Sequence, residues 1–263
     1  MSTALLKGTA FITGAASGIG RATAFAFARH GIENLALADV DIGTLQASSK
    51  ALSEQFPHVQ VLELQLDVAQ AAAVHAAIAT VVDRFGRLDI AVNNAGISGS
   101  GRKTHEVDEA EWRRVINVDL DGVWRCQKEE LVVMLKQEDL GPRIGRGRII
   151  NTSSMYGVVG MFDLAQTAYS TAKHGVIGLT RSDANAYGPM GIRLNCICPG
   201  FIRTPLLENV PGDSPIMKDV ERSALRRMGQ PEEIADAITF LASPMSSFVQ
   251  GASMVVDGGF TTQ

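Results

Sequence analysis

A parallel β-sheet with helices wound on both faces, in one α/β domain over residues 1–263, is the architecture this sequence predicts. Three observations predict it. Short β-rich runs alternate with longer helical patterns along the whole chain, which is how parallel sheets are connected. Nearly every run ends in a glycine or a polar residue, as such sheets require at their carboxyl edge. No repeat, low-complexity tract or linker divides the chain. Right-handed crossovers then restrict the topology to a doubly wound sheet of about seven strands.

The elements follow in order. TAFIT (9–13) precedes the helical pattern at 21–30, and NLALAD (34–39) precedes the one at 43–55. VQVLELQLD (59–67) leads to the alanine-rich stretch 71–86. LDIAVN (88–93) leads to 111–137, which reads as one long helical stretch. GRIINTSS (147–154) leads to 168–188, and IRLNCIC (192–198) follows. Near the end, Pro231 and two acids open a helix over 231–243, as the helix dipole prefers, before the last strand SMVVD (253–257). Residues 200–230 hold Pro205, Pro211 and Pro215 and are too long for a simple connection, which predicts a substrate-binding loop or lid.

Bulk properties narrow the function. A net charge of −4 with no basic block argues against nucleic acid and anionic membranes as partners. Arg143, Arg146 and Arg148 are spread through a Gly/Pro-containing loop and read as solvated. Three cysteines make no disulfide framework. Cys196 and Cys198 read as same-face strand packing, with too few ligands nearby for a metal. No signal-like stretch opens the chain and no apolar run is long enough to span a bilayer. The expectation is a cytoplasmic protein without a metal.

The chemistry sits at the strand ends. TGAASGIG (13–20) follows the first strand and opens a helix. Glycines there permit a tight turn, close approach to a pyrophosphate and close helix–strand packing, and the helix N-terminus offers amide donors. Asp39 ends the second strand, 19 residues after Gly20. A carboxylate there accepts from both hydroxyls of an adenosine ribose and repels a 2′-phosphate. No Arg or Lys lies in residues 35–49, and Ser17 is neutral where a cation could have held that phosphate. NAD is therefore favoured over NADP. Asp39 could equally act as a turn or cap residue. Asp41 is the competing acid, but it lies past the strand and is expected to cap the next helix.

With these residues stand Asp67-Val68, N-N-A-G at 93–96, Asn117-Val118, Ser154, Tyr169-x-x-x-Lys173 and Pro199-Gly200 with Thr204. In this order they resemble the short-chain dehydrogenase/reductase family across roughly residues 5–260. The resemblance implies a Rossmann-type fold and hydride transfer between a nicotinamide and an alcohol or carbonyl. It implies cofactor contacts from Gly14, Ser17, Gly18, Ile19 and Gly20, and adenine contacts from Asp67 and Val68. Asn93, Ala95 and Gly96 would support the ribose and the central sheet. Pro199, Gly200, Ile202 and Thr204 would lie at the nicotinamide end.

Why a tyrosine and a lysine at i and i+4? A free phenol has a pKa near 10, so only about 0.1% is phenolate at neutral pH. A phenol brought near 7 serves as base for alcohol oxidation or as acid for ketone reduction, which takes about 4 kcal/mol of preferential phenolate stabilisation. A neighbouring cation supplies this where water is limited. Helical spacing puts Lys173 on the face of Tyr169. Tyr156 fails this test, because Gly160 lies four residues on, and Tyr187 is followed by Gly191. By resemblance, Lys173 also binds the nicotinamide ribose, Ser154 holds the substrate oxygen, with Ser153 as its rival, and Asn117 holds a water that relays protons from Lys173. The Ser154–Tyr169 segment is slightly long for the family. The extra residues fall within 160–167, where they should border the substrate.

Met155, Tyr156, Met161, Phe162, Leu206, Leu207 and Met217 are expected to line an apolar pocket. They suit a bulky hydrophobic alcohol or ketone: terpenoid, steroid-like, polyketide or alicyclic. Oxidation with NAD is the expected direction, with carbonyl reduction as the alternative and a non-catalytic nucleotide-binding scaffold as a further one. Gly175 and Gly178 interrupt a helix, which predicts close packing there. By resemblance this helix and its predecessor pack across a homodimer or homotetramer, with the C-terminal DGGFTTQ at a second interface.

Overall fold

The computed structural model describes residues 4–161, 165–207 and 210–262. Seven parallel strands form one sheet in the order β3-β2-β1-β4-β5-β6-β7. They are β1 (Thr9–Thr13), β2 (Asn34–Asp39), β3 (Gln60–Gln65), β4 (Ile90–Asn93), β5 (Gly147–Thr152), β6 (Ile192–Pro199) and β7 (Ser253–Val256). The central strands β1, β4 and β5 are buried along their whole length, as expected of a sheet covered on both faces. At the outer edge, β3 mixes exposed and half-buried positions. The strand order reverses between β1 and β4, so a crevice opens at their carboxyl ends.

The helices are α1 (Gly18–Arg29), α2 (Ile42–Gln55), α3 (Ala71–Phe85), α4 (Glu109–Asp119), α5 (Asp121–Met134), α6 (Thr167–Tyr187), α7 (Pro215–Arg222) and α8 (Pro231–Ala242). One apolar cluster fills the side of the sheet under α1, α2 and α8, and another the side under α3, α5 and α6. Asp41 caps α2 by accepting from the Thr44 amide at 3.1 Å. Pro231 opens α8 with Glu232 and Glu233 in its first turn.

One expected element is corrected. The stretch 111–137 is not a single helix: it breaks at Leu120, whose backbone leaves the helical region at φ −120°. The physical reason is packing against α6. A side chain on Gly175 would lie 2.9 Å from Leu120 Cδ1, so the bend seats Leu120 on a glycine. Gly178 packs against nothing within the chain: nothing among the described residues lies within 4 Å of where its side chain would be. The long connection 200–230 contains a short turn of helix at Pro205–Leu207 and α7.

Candidate active site

Two cavities share the carboxyl edge of the sheet. The first, about 440 Å³, is a groove over the β1 and β4 ends. Its floor is the first glycine turn. Gly14 and Gly18 have φ of 66° and 52°, the left-handed region that favours glycine. A Cβ on Gly20 would lie 2.1 Å from the Gly14 carbonyl oxygen, so α1 can approach β1 only without a side chain there. Ser17, Ile19, Asp39, Asp67, Val68, Ala95, Gly96 and Thr204 line the same groove. No lysine or arginine lines it among the described residues. Asp39 accepts from the Ala16 amide at 3.0 Å and the Asp41 amide at 3.0 Å, which ties the end of β2 to the glycine turn.

Asn93 and Asn94 divide their roles by strand alternation. Asn93 is 1% exposed and donates to Glu130 and Asn151, both at 3.0 Å, in a polar network beneath the sheet. It supports the frame and does not line the groove. Asn94, which the sequence did not single out, lines both cavities and donates its amide to the Thr13 and Gly14 carbonyls. The N-N-A-G run signalled the pair, but not which member turns toward the groove.

The second cavity, about 260 Å³, holds Ser154, Tyr169 and Lys173 at its polar end. Lys173 Nζ lies 5.4 Å from the Tyr169 ring centroid and donates to the Thr152 carbonyl at 3.3 Å. Ser153 and Ser154 both line the cavity. Ser153 donates to the Lys173 carbonyl at 2.8 Å, whereas Ser154 accepts from the Tyr156 amide at 3.1 Å. Pro199, Gly200 and Ile202 line this cavity rather than the groove, and Gly96 and Thr204 line both.

Asn117 is not brought to Lys173. Its side-chain oxygen accepts from Arg125 Nη2 at 2.7 Å and its carbonyl from Arg125 Nη1 at 3.0 Å. Asp119 lies there instead, with Oδ2 3.3 Å from Lys173 Nζ. Two residues turn a helix by roughly 200°, so Asn117 and Asp119 face opposite sides of α4. Burial lifts the Asp119 carboxyl above its ordinary value, against the pull of the Lys173 charge. Burial alone would lower Lys173, but Asp119, Tyr169 and Cys198 together outweigh it, Asp119 most strongly, and hold the ammonium above its ordinary value.

The apolar walls converge from distant segments. Met155, Tyr156, Met161, Leu206 and Leu207 line the cavity as expected. Phe201, Val210 and Ile216 join them without having been singled out. Met217 packs in the cluster behind the wall, and Phe162 falls outside the described residues, as do residues 163 and 164 of the segment expected to be long. Tyr156 stacks edge-on with Phe201 and Phe260 at centroid distances of 6.0 and 6.1 Å. Phe260, in the C-terminal stretch expected at an interface, therefore points inward.

Among the described residues no cluster suited to a metal occurs, and no helix is long and apolar enough to cross a membrane. Cys126, Cys196 and Cys198 are buried and unbridged, and the last two pack with Ile177.

A family model described as enoyl-(acyl carrier protein) reductase matches residues 14–261. The chain is 41% identical over 261 residues to cis-4-hydroxycyclohexanecarboxylate dehydrogenase of Sinomonas cyclohexanicum, covering 99% of each. It is 36% identical over 264 residues to cyclohexanol dehydrogenase of Acinetobacter sp. (strain SE19), covering 100% of this chain and 98% of that one. A crystal structure of levodione reductase superposes with a TM-score of 0.89 at 37% identity, over 96% of each chain. Dehydrogenases of this kind use a nicotinamide cofactor, and the glycine cradle with Asp39 at its far end fits one. With its seven-stranded doubly wound sheet and its tyrosine and lysine one helical turn apart, the chain is an oxidoreductase that belongs to the short-chain dehydrogenase/reductase family.

Proposed function

We propose that this enzyme oxidises a compact, neutral alicyclic secondary alcohol to its ketone with NAD. The observation that carries the proposal is the second cavity: Ser154, Tyr169 and Lys173 at one end, apolar walls elsewhere. Its volume, about 260 Å³, lies just below the range of about 300–1,000 Å³ typical of ligand pockets. One saturated ring suits it better than a steroid or polyketide. Lys173, already paired with Asp119, is the only lysine or arginine among its described lining residues. A substrate carboxylate would have no counter-charge, so a neutral ring is favoured over the hydroxy acid named for the Sinomonas relative. The cofactor supplies the two-electron acceptor. This chain handles the proton: Ser154 holds the substrate oxygen, Tyr169 takes the hydroxyl proton, and Lys173 stabilises the phenolate that the reaction uses.

NAD rather than NADP is supported by Asp39 and by a groove without cations. The cytoplasm is supported by three buried, unbridged cysteines. A homodimer through α5 and α6 is supported by exposed Trp124, Val132 and Leu135 and by the open face of Gly178. Reduction is the second reading, favoured by the levodione reductase structure.

The test is a panel of cyclohexanols, their carboxylate analogues, steroid alcohols and acyl thioesters, assayed in both directions with both cofactors. Neutral cyclohexanols should give the highest kcat/KM. Tyr169→Phe should lower turnover by at least ~10³-fold while NADH affinity stays within a few-fold. A kcat/KM more than about tenfold higher with NADP(H) would refute the cofactor assignment.

A further inference from the structure

Asp119 ends α4 with a side chain wholly excluded from solvent. Its Oδ1 accepts from the Ile97 amide at 2.8 Å, just past the N-N-A-G turn. Its Oδ2 faces Lys173 Nζ at 3.3 Å and has no hydrogen bond among the described residues. The carboxylate forms part of the cavity wall. Holding the Ile97 amide needs only a neutral acceptor, which an asparagine would provide. Burying a full negative charge for that purpose is unfavourable unless the charge itself acts on something.

The group it acts on is Lys173. The ammonium is 5% exposed and sits over the Tyr169 ring. Its positive charge favours the phenolate, and a carboxylate 3.3 Å away offsets part of that field. The same contact, with the Thr152 carbonyl on the other side, fixes Nζ in place. The remaining charged or titratable groups that act on the pair are few. Arg114 on α4 bears on Asp119, while Tyr169 on α6 and Cys198 on β6 bear on Lys173.

We propose that Asp119 is a positioning residue that anchors the Lys173 ammonium and, by offsetting its charge at Tyr169, sets the lower pH limit of turnover. It rests on the function proposed above. The sign is definite. Removing the negative charge leaves Lys173 uncompensated, favours the phenolate, and extends alcohol oxidation to lower pH.

The experiment is the pH dependence of kcat/KM for cyclohexanol oxidation by the full-length enzyme, wild type against Asp119→Asn and Asp119→Glu. Asparagine keeps an acceptor for Ile97 and removes the charge; glutamate keeps the charge. The acid limb of Asp119→Asn should move down by about one pH unit, as expected for a partly screened unit charge several ångströms away. The acid limb of Asp119→Glu should stay with wild type, and NADH affinity, read by fluorescence titration, should change less than about threefold in both. Asp119→Ser serves in place of the asparagine variant should that one be insoluble. Superimposable profiles for wild type and the neutral variant overturn the inference, as does an equal shift in the glutamate variant. A wild type inactive on the whole panel overturns the proposed function instead, and this inference with it.

Discussion

The dinucleotide groove and the apolar chamber meet at Gly96, yet they are built by opposite means. The groove is made of backbone. Gly14 and Gly18 adopt positive φ, Gly20 has no room for a Cβ, and Asn94 laces the β1 and β4 turns together through main-chain carbonyls. The chamber is made of side chains drawn from residues 155–161, from 201–216 and from Phe260 behind them. Backbone construction demands particular residue types, because only glycine satisfies the sterics. Side-chain construction demands only apolar volume, and many residues provide it. The two regions should therefore respond differently to substitution.

The largest effect belongs to the groove. Gly20→Ala puts a methyl 2.1 Å from the Gly14 oxygen, contact that no rotamer relieves. The turn must open, and NADH affinity should fall at least ~100-fold, or the melting temperature should drop by many degrees. Fluorescence titration and thermal unfolding measure these together. Wild-type affinity and melting in this variant would break the contrast, since the groove would then tolerate side chains as the chamber does.

The same contrast explains what was legible in the sequence. All seven strands could be placed, because buried apolar runs alternated with helical patterns and ended in glycine or acid. Gly14, Gly18, Gly20 and Asp39 could be placed because each type is demanded by its position. Tyr169 and Lys173 followed from helical spacing taken together with Ser154, the glycine turn and the family resemblance. Asp119 was missed for a physical reason. V-D-L-D-G holds two acids beside Asn117, and which one faces α6 depends on how α4 packs, not on the residue types. The break at Leu120 was hidden likewise, because the apolar pattern continues through it and only the contact with Gly175 bends the chain. Phe201 and Phe260 are 59 residues apart, and no local signal joins them.

Beneath both regions lies a frame of different chemistry. Glu130 on α5 is fully buried under β4 and accepts from Asn93 at 3.0 Å. Burial pushes its carboxyl from 4.5 up to about 8, against the Asn93 hydrogen bond. The folded state thus binds a proton that the unfolded chain releases. This destabilisation is absent below pH 4.5, grows as pH rises, and is complete above about 8. Each pH unit within that window costs roughly 1.4 kcal/mol at most. Urea unfolding of wild type should show stability declining across the window, and Glu130→Gln should flatten the slope. A variant with an undiminished slope would assign it to other groups. The effect acts on global stability rather than on one site, so it should reach groove and chamber alike.

The smallest effect is expected at the chamber wall. Leu206 lies on the 205–207 turn, is 57% exposed, and borders both cavities. Its folded-state packing is slight, so Leu206→Ala should change stability by less than about 0.5 kcal/mol. Substrate would cover much of the side chain, and losing that contact removes about 1 kcal/mol of apolar burial. A wall that touches ground state and transition state equally gives a several-fold rise in KM with kcat nearly unchanged. A loop that closes only as the reaction proceeds gives the reverse, a lower kcat at constant KM. The split between the two constants therefore decides whether 200–230 is a passive wall or a moving lid. The first outcome keeps the chamber a matter of apolar volume. The second would give it a positional demand as strict as that of the glycines.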